Sequence, residues 1–225
     1  MQNQSTDVSW NKNDVPVSNR FDDPYFSLEN GLEETRHVFL QGNGLPERFC
    51  DGFHVAELGF GTGLNFLTTV LAWRESGVSG RLHFTSFEAF PLSVQHIGRA
   101  LAVFAELNEI SRPLTACWRP EGGTFELDDD VLLNVIIGDA NVELSNWTGF
   151  ADAWYLDGFS PAKNPELWSQ TILHQVAKHT VANGTFATYT AAGFVRRALE
   201  AAGFDVSRSV GFGRKRHMSR GVMRP

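Results

Sequence analysis

A chain of 225 residues has room for one large domain, or for one domain with a small appendage. With 42% hydrophobic residues and no apolar run near the ~18–20 residues a bilayer span needs, wholesale disorder and a membrane helix are both excluded. A formal net charge of −7 argues against a general nucleic-acid binder.

The charge is unevenly spread. Residues 196–225 carry a net +6, which leaves −13 on the rest of the chain. Such a basic end either attracts a polyanion locally or serves as a solvated edge, and charge alone leaves both open. Cys50 and Cys117 are too few and too far apart for a metal cluster or a disulfide framework, so a reducing cytoplasm is the expected setting. Residues 1–10 lack the basic and apolar regions of a signal peptide.

In chain order, DVSW and VPVS predict a small hairpin. Leu32, Arg36, Phe39 and Leu40 predict a short amphipathic helix, and Gly42–Leu45 a loop. HVAELGF reads as a buried strand entering a Gly-rich turn, and Leu64–Ser76 as a helix with Leu64, Phe66, Leu67, Val70 and Leu71 on one side. RLHFTSFEAF is the next strand, ending at Glu88. Leu92–Leu107 follows as a helix broken once. Thr124–Leu127 and Val131–Ile137 flank an Asp-rich turn as a hairpin. Val142–Trp147 is a short helix, ADAWYLDGFSP a strand running into a loop, Leu167–Thr180 a helix and GTFATYT a strand. Ala191–Ala201 is a helix closed by Gly203, and FDVSRSV and HMSRGVM are two final strands. The alternation predicts an α/β fold with a mainly parallel sheet. The last two strands are separated only by GFGRKR, too short for a helical crossover, so that pair is expected to be antiparallel.

Four acidic positions fall at strand ends. Glu57 precedes Gly59, Gly61 and Gly63 in a GxGxG turn that lets a ligand approach the backbone. Leu64 stands where a dinucleotide fingerprint needs Gly or Ala, and a carboxylate here suits an ammonium or sulfonium rather than a diphosphate. Glu88 suits ribose hydroxyls without saying which cofactor carries them. Asp139 suits an adenine amino group, although an Asp at a helix start also serves as an N-cap. Asp157 ends its strand beside Gly158 and a Pro-bounded loop, where it faces a methyl donor or braces the loop.

FDDPYFSLENGLEETRHVFLQGNGLPERF, AELGFGTGLNFL, WYLDGFSPAKNPELW and GFGRKRHMSRGVM together resemble the methyltransferase domain of the MnmC family of bifunctional tRNA-modifying proteins, from about Phe21 to Met223. The resemblance implies a Rossmann-like S-adenosylmethionine-dependent methyltransferase with a seven-stranded, mainly parallel sheet and one antiparallel strand near the C-terminus. It implies methylation of 5-aminomethyl-2-thiouridine to 5-methylaminomethyl-2-thiouridine at the wobble position (34) of tRNA, with an FAD-dependent oxidase supplied by a fused domain or a partner. Residues 1–50 are then an extension packed on a methyltransferase domain of residues 51–225. Glu57, Gly59, Gly61, Gly63 and Asn65 would hold the methionine part, Glu88 the ribose and Asp139 the adenine. Asp157 would face both the donor and the acceptor amine, with Phe26 and Asn43 helping to close the pocket.

To hold tRNA, an acidic protein needs a local attraction. Arg214, Lys215 and Arg216, with Arg196, Arg197, Arg220 and Lys163, are expected to meet phosphates. The competing expectation is that GFGRKR is a structural turn whose charges pair within the domain. An oxidoreductase and a silent RNA-binding module are disfavoured by the GxGxG spacing and the intact acidic strand ends. A methyltransferase acting on a small-molecule or protein amine is the remaining alternative.

Overall fold

The computed structural model describes residues 7–27 and 29–225. Residues 1–6, where the leader reading begins, and Leu28 lie outside the described residues. The first segment forms a small antiparallel sheet of β1 (Val8–Trp10), β2 (Pro16–Ser18) and β3 (Asp23–Pro24), so DVSW and VPVS do pair. Helix α1 (Gly31–Thr35) is capped by the Asn30 side chain on the Glu33 N–H, and a π-type turn, Arg36–Leu40, continues it.

The periodic part builds one eight-stranded sheet from β4 (His54–Leu58), β5 (Leu82–Glu88), β6 (Gly123–Leu127), β7 (Val131–Ile137), β8 (Ala151–Leu156), β9 (Thr180–Thr188), β10 (Phe204–Val210) and β11 (His217–Met223). Their order is β10-β11-β9-β8-β4-β5-β7-β6. The central pairs from β9 to β7 are parallel. β11 runs antiparallel to both β9 and β10, and β6 antiparallel to β7. The strand count is therefore eight rather than seven. The extra strand is β6, which the short Asp-rich turn folds back on β7 at the sheet edge.

Strand alternation sorts the core into two faces. Along β4 and β8, Val55, Ala153 and Tyr155 join one hydrophobic cluster, while Ala56, Leu58, Trp154 and Leu156 join the other. The first face is covered by α2 (Leu64–Ser76), α3 (Val94–Leu101) and α4 (Asn108–Cys117), the second by α5 (Ala140–Asn146), α6 (Gln170–Lys178) and α7 (Gly193–Ala202). Helix α4 has no counterpart in the sequence reading, because Pro113 inside it and its many polar residues hide the period. The helix predicted over Leu92–Leu107 is α3 followed by a 3-10 turn, Ala105–Leu107.

Helix α2 is not the one-sided helix its pattern predicted. Asn65, Thr68 and Thr69 are buried along with Phe66 and Leu67. The cause is the N-terminal segment: Leu32, Val38, Phe39, Leu40, Leu45 and Phe49 lie in the same cluster as the α2 side chains. The buried hydroxyls satisfy themselves locally. Thr68 and Thr69 donate to the Leu64 and Asn65 carbonyls, and Thr69 also meets the Tyr155 hydroxyl at 3.1 Å. No helix among the described residues is long and apolar enough to cross a membrane.

Candidate active site

In open α/β sheets a crevice opens where neighbouring strands send their connections to opposite sides. Here that point lies between β4 and β8. Gly59 follows β4 with φ +86°, and a Cβ there would come within 3.5 Å of the Gly158 Cα that follows β8. Above this gap lies a cavity of about 810 Å³, within the range of small-molecule sites.

The structure brings the four acidic strand ends to this edge but gives them different surroundings. Glu57 is fully buried and does not line the cavity. By alternation it lies on the α2 face, where Asn65 in the first turn of α2 donates to its Oε1 at 2.9 Å and Ser86 to its Oε2 at 2.8 Å. Burial pushes its carboxyl well above the usual range, with the nearby Asp157 adding to the rise. Glu57, expected to hold a ligand directly, thus lies off the cavity wall behind Asn65. Gly63, likewise absent from the cavity wall, caps α2 at φ +77°.

Asn65 does line the cavity, and its amide joins two carboxylates. The same Nδ2 that serves Glu57 donates to Asp157 Oδ2 at 2.7 Å, while its Oδ1 accepts from the Thr35 hydroxyl at 2.8 Å. The other oxygen of Asp157 accepts the Gly158 N–H at 2.8 Å. Asp157 faces the cavity half-buried, and desolvation lifts its carboxyl to about 6, against the lowering effect of those hydrogen bonds. Around it stand Glu34 and Thr35 from α1, Tyr189 after β9, and Lys215 from the β10–β11 turn.

Glu88 is nearly buried, and its two oxygens accept the N–H groups of Gly61 at 2.9 Å and Phe90 at 2.6 Å. These bonds fix the carboxylate plane while leaving lone pairs for hydroxyl groups. Burial raises its pKa. Asp139 is exposed at the cavity edge and is the N-cap of α5: its Oδ1 accepts from the Asn141 N–H at 2.9 Å and its side-chain amide at 3.0 Å.

The N-terminal segment closes one side. Phe26 lines the cavity, as expected. Asn43 does not; it is buried away from it, donating to the Phe39 and Trp154 carbonyls and accepting from Thr185. Phe21 stacks on Phe159 at 4.6 Å and Tyr25 meets the same ring edge-on at 5.1 Å. Asp23 accepts the Ser160 N–H at 2.8 Å, and Lys163 bonds the Asp22 carbonyl, its side chain 3.3 Å away.

Of the basic residues, Arg214 and Lys215 line the cavity and pair with acidic residues of the N-terminal segment, Glu29 at 3.0 Å and Glu34 at 2.8 Å. Lys163 is held by Asp22 and Asp23. Among the described residues, Arg196, Arg197, Arg216 and Arg220 have no carboxylate within 4.0 Å. Glu34, Thr35 and Tyr189 went unnoticed in the sequence, since nothing local marks them.

The cavity has the donor set of a cation-binding site. Carboxylates at Glu34, Glu88, Asp139 and Asp157 ring it, and backbone-lined glycines give access, which fits a ligand with a sulfonium, an ammonium and a ribose. No group of three metal-ligating side chains occurs among the described residues.

The comparisons agree with this geometry. The "tRNA 5-methylaminomethyl-2-thiouridine biosynthesis bifunctional protein MnmC" of Hahella chejuensis is 46% identical over 96% of this chain and 36% of its own length. The protein of the same name from Aeromonas hydrophila subsp. hydrophila is 46% identical over 95% of this chain and 35% of its own. The chain thus spans about a third of the length of these curated relatives. The crystal structure of MNMC2 from Aquifex aeolicus shares the fold, with a TM-score of 0.73 at 23% identity, covering 100% of this chain and 74% of that one. The model of a family described as S-adenosyl-L-methionine-dependent methyltransferase matches residues 105–224, more than half of the sequence. The chain belongs to this family of S-adenosyl-L-methionine-dependent methyltransferases.

Proposed function

We propose that the protein methylates the amine of 5-aminomethyl-2-thiouridine at wobble position 34 of tRNA, yielding 5-methylaminomethyl-2-thiouridine. The observation that carries the reading is Asp157, a half-buried carboxylate held at both oxygens in the donor cavity, with its pKa lifted to about 6. The relatives' name supplies the acceptor class. In this reading residues 1–50 form an extension that closes the pocket, the setting is cytoplasmic, and an oxidase, fused or separate, prepares the amine.

Adenosylmethionine supplies an activated methyl group on a sulfonium. Asn65 and the glycine turn would hold its methionine part, with Glu57 fixing Asn65 from behind. Glu88 would take the ribose hydroxyls and Asp139 the adenine amino group. An alkyl amine has a reference pKa of about 10.4 and arrives protonated. Asp157 accepts the ammonium proton, relays it to water and, ionised again, orients the lone pair. The nitrogen lone pair would then form the N–C bond as the C–S bond of the bound donor breaks, with the C–S electrons returning to sulfur.

The wobble base must leave the anticodon stack to reach the cavity. Arg196 and Arg197 lie early in α7, and Arg216 just before β11, all on the sheet edge that carries Asp157. Lacking carboxylate partners among the described residues, they are cations available to meet phosphates. Lys163, Arg214 and Lys215 would have to leave theirs to do so. Charge reversal at Arg196, Arg197 and Arg216 together is expected to raise the KM for tRNA about tenfold or more and to flatten its salt dependence, while adenosylmethionine binding is unchanged. Unaltered salt dependence would remove these contacts from the account.

Acceptor choice tests the function itself. With labelled adenosylmethionine, tRNA that carries unmethylated aminomethyl groups is expected to take up label, while free lysine and a lysine-rich protein do not. Label in the protein or the small amine, with none in tRNA, would favour the other amine reading.

A further inference from the structure

Lys215 carries a role that its position in a basic turn hides. Its Nζ lies 2.8 Å from Glu34 Oε1 and 4.1 Å from the centroid of the Tyr189 ring, inside the cavity that holds Asp157. Carboxylate and aromatic face together form an ammonium-binding corner, and the protein fills it with its own ammonium. The partners come from distant parts of the chain: Glu34 from α1, Tyr189 from the end of β9 and Asp157 from the end of β8. Asp23 faces Tyr189 but is committed to Ser160, and Arg214 is committed to Glu29. Glu57 lies behind Asn65, off the cavity wall.

We propose that Lys215 is a positioning residue that neutralises Glu34, so that an acceptor amine meets one uncompensated carboxylate, Asp157, instead of two. The proposal rests on the amine-methylating reading above. Two free carboxylates would hold the acceptor as its ammonium, and an ammonium has no lone pair to attack with. One carboxylate matches the acceptor's single charge and still lets the proton leave. Both partners act on Asp157 in the corresponding sense, Glu34 raising its pKa and Lys215 lowering it.

The test is the pH dependence of the methylation rate at saturating tRNA, which reports groups in the bound complex. Lys215→Met is expected to move the limb on which the rate rises with pH upward by about 1–2 units, an adjacent charge having an effect of that size. The rate near pH 7.5 then falls roughly 10–100-fold and recovers in alkaline buffer. Glu34→Gln in the Lys215→Met background removes the second carboxylate and is expected to return the limb to its wild-type position. Glu34→Gln alone leaves Lys215 unopposed and is expected to move the limb downward, which keeps the test alive if Lys215→Met does not fold, as read by adenosylmethionine binding. A Lys215→Met limb that superimposes on wild type overturns the proposal, as does an equal loss at every pH that Glu34→Gln does not rescue. Wild-type protein that leaves aminomethyl tRNA unlabelled overturns the functional reading itself.

Discussion

Asp157→Asn is expected to lower kcat by about 10²–10³, the range a positioned proton acceptor contributes, and to leave the affinity for adenosylmethionine within a few-fold. The pH profile carries the sharper signature. In wild type, kcat/KM should fall about tenfold per pH unit as the acceptor becomes protonated below pH ~10, then steepen as Asp157 itself takes a proton below about 6. The Asn variant should lose only the steepening. Stability should move the other way. Burial raises the folded pKa of Asp157 above its ordinary value, so the folded state holds that proton more tightly. Its contribution is fully present below the unfolded pKa and is lost as pH rises through about 6. Asp157→Asn, neutral throughout, should therefore melt higher than wild type at pH 8, with the gap closing toward pH 4. Near wild-type turnover from pH 6 to 9 would show that Asp157 only braces its loop.

Asn65→Leu is expected to damage both stability and binding. One amide satisfies a fully buried Glu57 and orients Asp157, and a leucine does neither. The Thr35 hydroxyl loses its acceptor on Asn65 and keeps only the Gly31 carbonyl at 3.1 Å. Leaving buried polar groups unpaired costs about 2–3 kcal/mol, which for a chain of this size lowers Tm by roughly 4–12 °C. Adenosylmethionine affinity should drop about tenfold or more, equivalent to ~1.4 kcal/mol. Calorimetry and thermal melts read both quantities. An unchanged Tm with unchanged cofactor affinity would mean that the Glu57–Asn65–Asp157 chain does not organise the site.

What was legible in the sequence follows from the range of the interactions. Glu57, Glu88, Asp139 and Asp157 could be placed because a strand, a turn and a helix are local patterns, and a parallel sheet puts all its strand ends on one edge. Leu64–Ser76 matched α2 residue for residue for the same reason. Whether Glu57 meets a ligand or a neighbouring side chain was not legible, since that depends on Asn65 and Ser86 arriving from other elements. Its lack of exposure depends also on a covering segment that sequence periodicity does not reveal. Glu34 and Tyr189 were invisible because their partner Lys215 lies 181 and 26 positions away, and a basic turn reads the same whether it faces solvent or a carboxylate. The eighth strand was visible as half of a hairpin, but the family pattern of seven gave it no place in the sheet.

The central claim is that this cavity methylates the wobble aminomethyl group of tRNA, and nucleoside analysis tests it most directly. tRNA carrying 5-aminomethyl-2-thiouridine is incubated with the protein and labelled adenosylmethionine, digested, and resolved by chromatography with mass detection. The account predicts that the label appears in 5-methylaminomethyl-2-thiouridine from position 34 and that Asp157→Asn nearly abolishes it. Label in any other nucleoside, or tRNA left unlabelled by protein that binds adenosylmethionine, would contradict it.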